Sequence, residues 1–189
     1  MAGRPRAFDR DAALLIAMEQ FWRDGYEETT VARLTKAIGI TAPSLYSAFG
    51  DKDQLFREAA DCYFDGVAQQ TDRALARPTA RQGIAELLQL TAAAHSDPTT
   101  PPGCFMLAEP RLAERRTVLR QRIADRIEQG VREGDLPADT DPDHVAGFVM
   151  AVLTGMSARA RDGGNAEDLE AIVELALAAL PASSETADT

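Results

Sequence analysis

The chain has 189 residues, 45% of them hydrophobic, with 20 basic and 30 acidic side chains and a net charge of −10. That apolar share supports a buried core and excludes a disordered chain, while the acidic balance argues against a nucleic acid spread over the whole surface. Two cysteines without a CxxC pair (Cys62 and Cys104) and two scattered histidines (His95 and His144) exclude a disulfide framework and any recognisable metal motif, so neither metal nor cofactor is expected.

No apolar run approaches the roughly 18 residues of a membrane span. Residues 1–10 lack the apolar stretch of a signal peptide. The expectation is a cytoplasmic protein with no membrane partner. The acidic excess is also uneven. Residues 1–57 carry eight basic and eight acidic groups, whereas residues 58–189 carry 12 basic and 22 acidic ones. A neutral module on an acidic body binds DNA if its cations face one way.

In chain order, Gly3-Arg4-Pro5-Arg6 reads as a basic arm, or else as a solvated tail. Asp9 is placed to cap a first helix over residues 10–24, with Leu14, Met18 and Phe21 inward and Leu15 and Trp22 beside them; Gly25 ends it. Thr29 or Thr30 caps a short second helix reaching Ile38, with Val31, Leu34 and Ile38 as its apolar stripe. Gly39 stops it. Thr41 caps a third helix, with Pro43 in its first turn and Leu45 and Phe49 pointing inward. Gly50 breaks the chain, and a long helix is predicted over residues 52–77. Further helices are predicted over 79–94, 104–111, 112–133, 142–161 and 166–180, with a proline-rich loop over 95–103 and a small, polar tail. Alanine and leucine abound and no strand alternation occurs, so the fold class is all-α.

Two short helices joined by Gly39-Ile40-Thr41 form a candidate helix-turn-helix. Val31, Leu34 and Leu45 would lock the pair. The second helix would offer Ala42, Ser44, Tyr46 and Ser47 to a major groove. Such helix pairs also occur in ordinary bundles, and Tyr46 either meets a phosphate or packs on a neighbouring helix. No nucleophile–base pair, phosphate loop or HExxH stands out, so an enzyme is not expected; a helical interaction protein without DNA binding is the other reading.

Gly25-Tyr26, Thr29-Thr30-Val31, Leu34, Gly39-Ile40-Thr41, Leu45-Tyr46, Phe49, Lys52 and Leu55-Phe56 resemble the DNA-binding domain of the TetR family over residues 9–57 without gaps, and Phe8-Asp9-Arg10, Phe21-Trp22 and Pro43-Ser44-Leu45-Tyr46 resemble its AcrR-type branch. The resemblance implies a DNA-binding domain over residues 1–51 with three helices and a basic arm. A helical ligand-binding and dimerisation domain would follow over 52–181, and a flexible tail over 182–189. It implies a repressor released from a palindromic double-stranded operator by a small apolar or amphipathic molecule. Thr30, Tyr46 and Lys52 would contact phosphates, Thr41 would cap the recognition helix at the DNA backbone, and Pro43, Ser44 and Ser47 would face base edges. Arg4 and Arg6 would form a minor-groove or phosphate arm. Ala48 departs from the family, where a histidine is common, and Ser47 replaces a larger residue, which shifts weight toward backbone contacts and DNA shape.

The resemblance also implies a homodimer through a four-helix interface made by the last two long helices, with Val145, Phe148, Val152, Met156, Leu169, Ile172, Val173 and Leu177 as candidate contacts and Ala151, Gly155 and Ala158 allowing close approach. A purely intramolecular core is the alternative. A ligand pocket would lie among residues 52–161, lined by Phe64, Cys104, Phe105, Met106, Met150 and Met156, unless these are simply core. Cys104, after Pro101-Pro102-Gly103, reads either as a sensor of oxidants or electrophiles or as a small buried residue.

Overall fold

The computed structural model describes residues 8–181, and no strand occurs among them. The helices are α1 (Arg10–Glu28), α2 (Val31–Ile38), α3 (Ala42–Phe49), α4 (Lys52–Leu75), α5 (Ala80–His95), α6 (Phe105–Ala108), α7 (Ala113–Glu133), α8 (Pro142–Arg161) and α9 (Ala166–Ala179), with a 3-10 turn at Pro110–Leu112 before α7. None is long and apolar enough to cross a membrane among the described residues. The chain divides into two compact units, one ending at Tyr63 and the other starting at Phe64, within α4.

The first unit is built on caps. The Asp9 carboxylate accepts from the amides of Asp11 and Ala12, starting α1. At Gly25 the backbone leaves helical geometry (φ 76°, ψ 169°), yet the chain makes another turn to Glu28, so Gly25 kinks α1 rather than ending it. The two threonines that follow divide the work. Thr30 caps α2 by accepting from the Arg33 amide, whereas Thr29 is fully buried and donates to the Gly25 carbonyl at 2.6 Å, satisfying a group freed by the kink. Ala13, Ala17, Phe21 and Trp22 form the buried face of α1; Leu14 and Met18 are only half-buried and Leu15 is exposed, which corrects the predicted stripe. Phe21 sits edge-on to Phe56 with ring centres 5.2 Å apart, and Leu34, Leu45, Phe49 and Leu55 complete the interior.

In the second unit α5 packs against α7, α8 and α9, and α7 against α8. Ile84, Leu88, Ile123, Ile127, Leu153 and Met156 are among its fully buried side chains. The predicted single helix over 104–111 is instead α6 and the 3-10 turn. Pro110 has no amide proton to continue α6, and Glu109 becomes the cap of the next turn through the Arg111 amide.

Candidate nucleic-acid interface

The turn between α2 and α3 rests on Gly39, whose φ of 79° lies in the left-handed region that glycine enters without a Cβ clash. The chain then re-enters helix at Thr41. Its Oγ1 accepts from the Ser44 amide at 3.4 Å and pairs with the Ser44 hydroxyl at 2.9 Å. Leu45 and Phe49 point inward and hold α3 on the unit. Thr41, Pro43, Tyr46 and Ser47 are exposed, and Ala42 and Ser44 are half-buried. Tyr46 is 48% exposed.

Thr30 is exposed at the start of α2. Asp51 accepts from the Gln54 amide and begins α4, which places Lys52 at its first position. The Lys52 ammonium lies 4.0 Å from the centre of the Tyr26 ring. Arg4 and Arg6 lie outside the described residues. One residue that sequence reasoning missed is Arg10. Its guanidinium lies 4.5 Å from the centre of the Phe49 ring, donates to the Ala48 carbonyl at 3.2 Å and pairs with Glu58 at 2.6 Å. Arg10 thereby fastens α1 to the end of α3 and to α4. Its signal in the sequence is only that it follows the Asp9 cap, which says nothing about contacts nearly 40 residues away.

Phe64, Cys104, Phe105, Met106 and Met156 are buried, and Met150 is half-buried. The Phe64 ring carries the Arg115 guanidinium at 4.9 Å, and the Cys104 amide donates to the buried Ser157 hydroxyl at 2.9 Å. A groove of about 580 Å³ opens elsewhere in this unit, between α5 and α9, and is lined by Gln89, Ala92, Ala93, Ser96, Asp97, Pro98, Ala166, Glu170, Val173, Glu174 and Leu177. No group of three or more potential metal ligands occurs among the described residues.

The candidate interface residues on α8 and α9 also separate. Met156, Leu169 and Val173 are buried in their own protomer, which removes them from any partner-facing surface. Val145, Val152, Ile172 and Leu177 are half-buried. Phe148 is 39% exposed and Leu175, not among the predicted contacts, is 74% exposed.

Residues 14–59 match the family model described as bacterial regulatory proteins, tetR family, and residues 108–176 match a tetracyclin repressor-like C-terminal domain. The chain is 33% identical to the HTH-type transcriptional repressor ComR of Escherichia coli (strain K12), over 95% of this chain and 92% of that protein. The chain belongs to the TetR family. This TetR-family chain is a helix-turn-helix DNA-binding transcription regulator, not an enzyme. It is also similar to BdcR of the same organism, another HTH-type transcriptional repressor, with 29% identity over 92% of this chain and 90% of that one. Among solved structures, a cysteine mutant of the TetR-family regulator CifR, complexed with 26-bp double-strand operator DNA, is 41% identical and superposes with a TM-score of 0.90 over 94% of this chain and 100% of that one.

Proposed function

We propose that this regulator is a cytoplasmic repressor that binds a palindromic operator as a two-fold dimer and is released by a small apolar or amphipathic molecule bound in its helical domain. DNA reading is assigned to residues 1–51, ligand response and dimerisation to 52–181, and the tail 182–189 to neither. The observation that carries the reading is the α3 face. Leu45 and Phe49 anchor it from below, while Thr41, Pro43, Tyr46 and Ser47 are exposed, and Lys52 opens the next helix. CifR, at 41% identity, is complexed with operator DNA, which supports DNA binding by this fold. Pro43, Ser44 and Ser47 face base edges. Thr30, Thr41, Tyr46 and Lys52 meet the backbone, and Arg4 and Arg6 add an arm.

These roles separate in titration. On a duplex that the protein selects from a random-sequence pool, Lys52→Ala is expected to weaken binding about tenfold for each half-site regardless of sequence and to reduce the salt slope by about one unit for each half-site. Ser47→Ala is expected instead to change the ranking of half-site variants. Fluorescence anisotropy across salt concentrations measures both, and equal effects of the two substitutions on every duplex would refute the division.

Dimerisation follows from the face that the protomer leaves uncovered. Phe148, Ala151, Gly155 and Ala158 recur on one side of α8, and Ala171, Leu175 and Ala178 on one side of the adjoining α9; all are exposed. A contiguous apolar face of this kind marks an association surface. A second copy covers it and sets two α3 helices about 34–36 Å apart, the repeat of the major groove. Leu175→Glu is expected to raise the dimer dissociation constant about 30-fold, equivalent to about 2 kcal/mol, the scale of burying one leucine. Because Leu175 is 74% exposed, the protomer's helicity stays intact. Light scattering at micromolar concentration is the measurement, and an unchanged dimer would move the interface elsewhere.

A further inference from the structure

Lys52 and Asp53 open α4 with opposite charges at adjacent positions. At a phosphate contact this is a conflict: the ammonium attracts the DNA, and a carboxylate left beside it competes for the ammonium. Tyr26 meets both side chains. The Lys52 ammonium lies over its ring, 4.0 Å from the centre, and its hydroxyl donates to Asp53 Oδ1 at 2.5 Å. The ring is itself fixed, stacked with Phe21 at 6.1 Å and edge-on to Phe56 at 5.0 Å. Its position depends on the kink at Gly25 immediately before it. A cation held on an aromatic face keeps its charge and remaining ammonium donors for another partner.

We propose that Tyr26 is the positioning residue of the Lys52–phosphate contact: its ring places the ammonium, and its hydroxyl draws the Asp53 carboxylate aside, so that Lys52 meets the DNA backbone without being neutralised by its neighbour. The inference rests on the phosphate role of Lys52 stated above. It assigns two separable tasks to one side chain, ring and hydroxyl, and each has its own substitution.

The test uses the full-length protein and the duplex selected from a random-sequence pool, with circular dichroism confirming that each variant is folded. Tyr26→Phe keeps the ring and releases Asp53; binding is expected to weaken about threefold for each half-site, and adding Asp53→Asn is expected to restore it. Tyr26→Leu removes the ring as well, with a loss of about fivefold for each half-site and a smaller salt slope. In a Lys52→Ala background neither Tyr26 variant is expected to weaken binding further, because the contact that it positions is gone. If the Tyr26 losses persist undiminished in that background, or Asp53→Asn restores nothing, Tyr26 is only part of the core and the inference is overturned while the Lys52 contact stands. If Lys52→Ala itself leaves affinity and salt slope unchanged, both the contact and the inference fall.

Discussion

Replacing Arg126 with alanine is expected to lower the unfolding free energy of the helical domain by about 3 kcal/mol. Arg126 sits on α7 and is only 7% exposed. Its Nε donates to the Leu75 carbonyl at 3.0 Å, and Nη2 donates to the Arg77 and Pro78 carbonyls at 3.2 Å each. These carbonyls belong to the end of α4 and the segment after it, where no further helical turn supplies amides. Two carboxylates balance the charge, Glu133 at 3.7 Å and Asp135 at 3.9 Å, and Asp135 also accepts from the Ala80 amide at the start of α5 at 2.5 Å. One guanidinium therefore ties together the end of α4, the start of α5 and the turn that follows α7. Alanine removes all three hydrogen bonds at once and leaves Asp135, itself largely buried, without its cation. Lysine restores the charge but not the planar fork that reaches several carbonyls, so Arg126→Lys is expected to recover less than half of the loss. Urea denaturation followed by circular dichroism gives the numbers. A loss below about 1 kcal/mol for Arg126→Ala would mean that water satisfies the α4 carbonyls equally well.

Arg126 also marks the limit of what the sequence discloses. The helix-turn-helix was legible because its signals are local: Thr30 and Thr41 are caps, Gly39 needs a left-handed backbone, and Leu34, Leu45 and Phe49 fall at helical spacing. Arg126 and Arg10 act through hydrogen bonds to backbone some 40 to 50 residues away, and such contacts leave no periodic trace. The partition of α8 and α9 was illegible for another reason. These helices carry apolar residues on several sides, so periodicity alone cannot tell Val173, which is buried in its own protomer, from Leu175, which is exposed. Gly25 shows the ambiguity of a single strong signal. A glycine with positive φ after a helical stretch usually terminates it, but here buried Thr29 takes up the freed carbonyl and the chain continues to Glu28. The same kink delivers Tyr26 to Lys52.

A second large effect is expected from acid. His95, at the end of α5, is 5% exposed, and its Nδ1 has no hydrogen-bond partner among the described residues. Burial, reinforced by the charge of Arg161 on α8, lowers its pKa from 6.5 to about 4. The imidazole is therefore neutral in the folded protein at pH 5, whereas in the unfolded chain it is mostly protonated. Between pH 6.5 and about 4 the unfolded state binds more protons, so stability falls as the pH drops through that window and is fully present above it. At pH 5 the histidine is expected to cost about 2 kcal/mol relative to pH 7, from 1.36 kcal/mol per pKa unit. Carboxylates titrate over part of the same range, so the comparison is with His95→Leu, which leaves them in place and fills the site with an apolar side chain. Chemical denaturation of both proteins at pH 7 and pH 5 isolates the histidine. The unaltered protein is expected to lose about 2 kcal/mol more than His95→Leu between the two values. Parallel losses would show that the folded state admits the imidazolium, through water or a movement of Arg161, and that burial does not hold this side chain neutral.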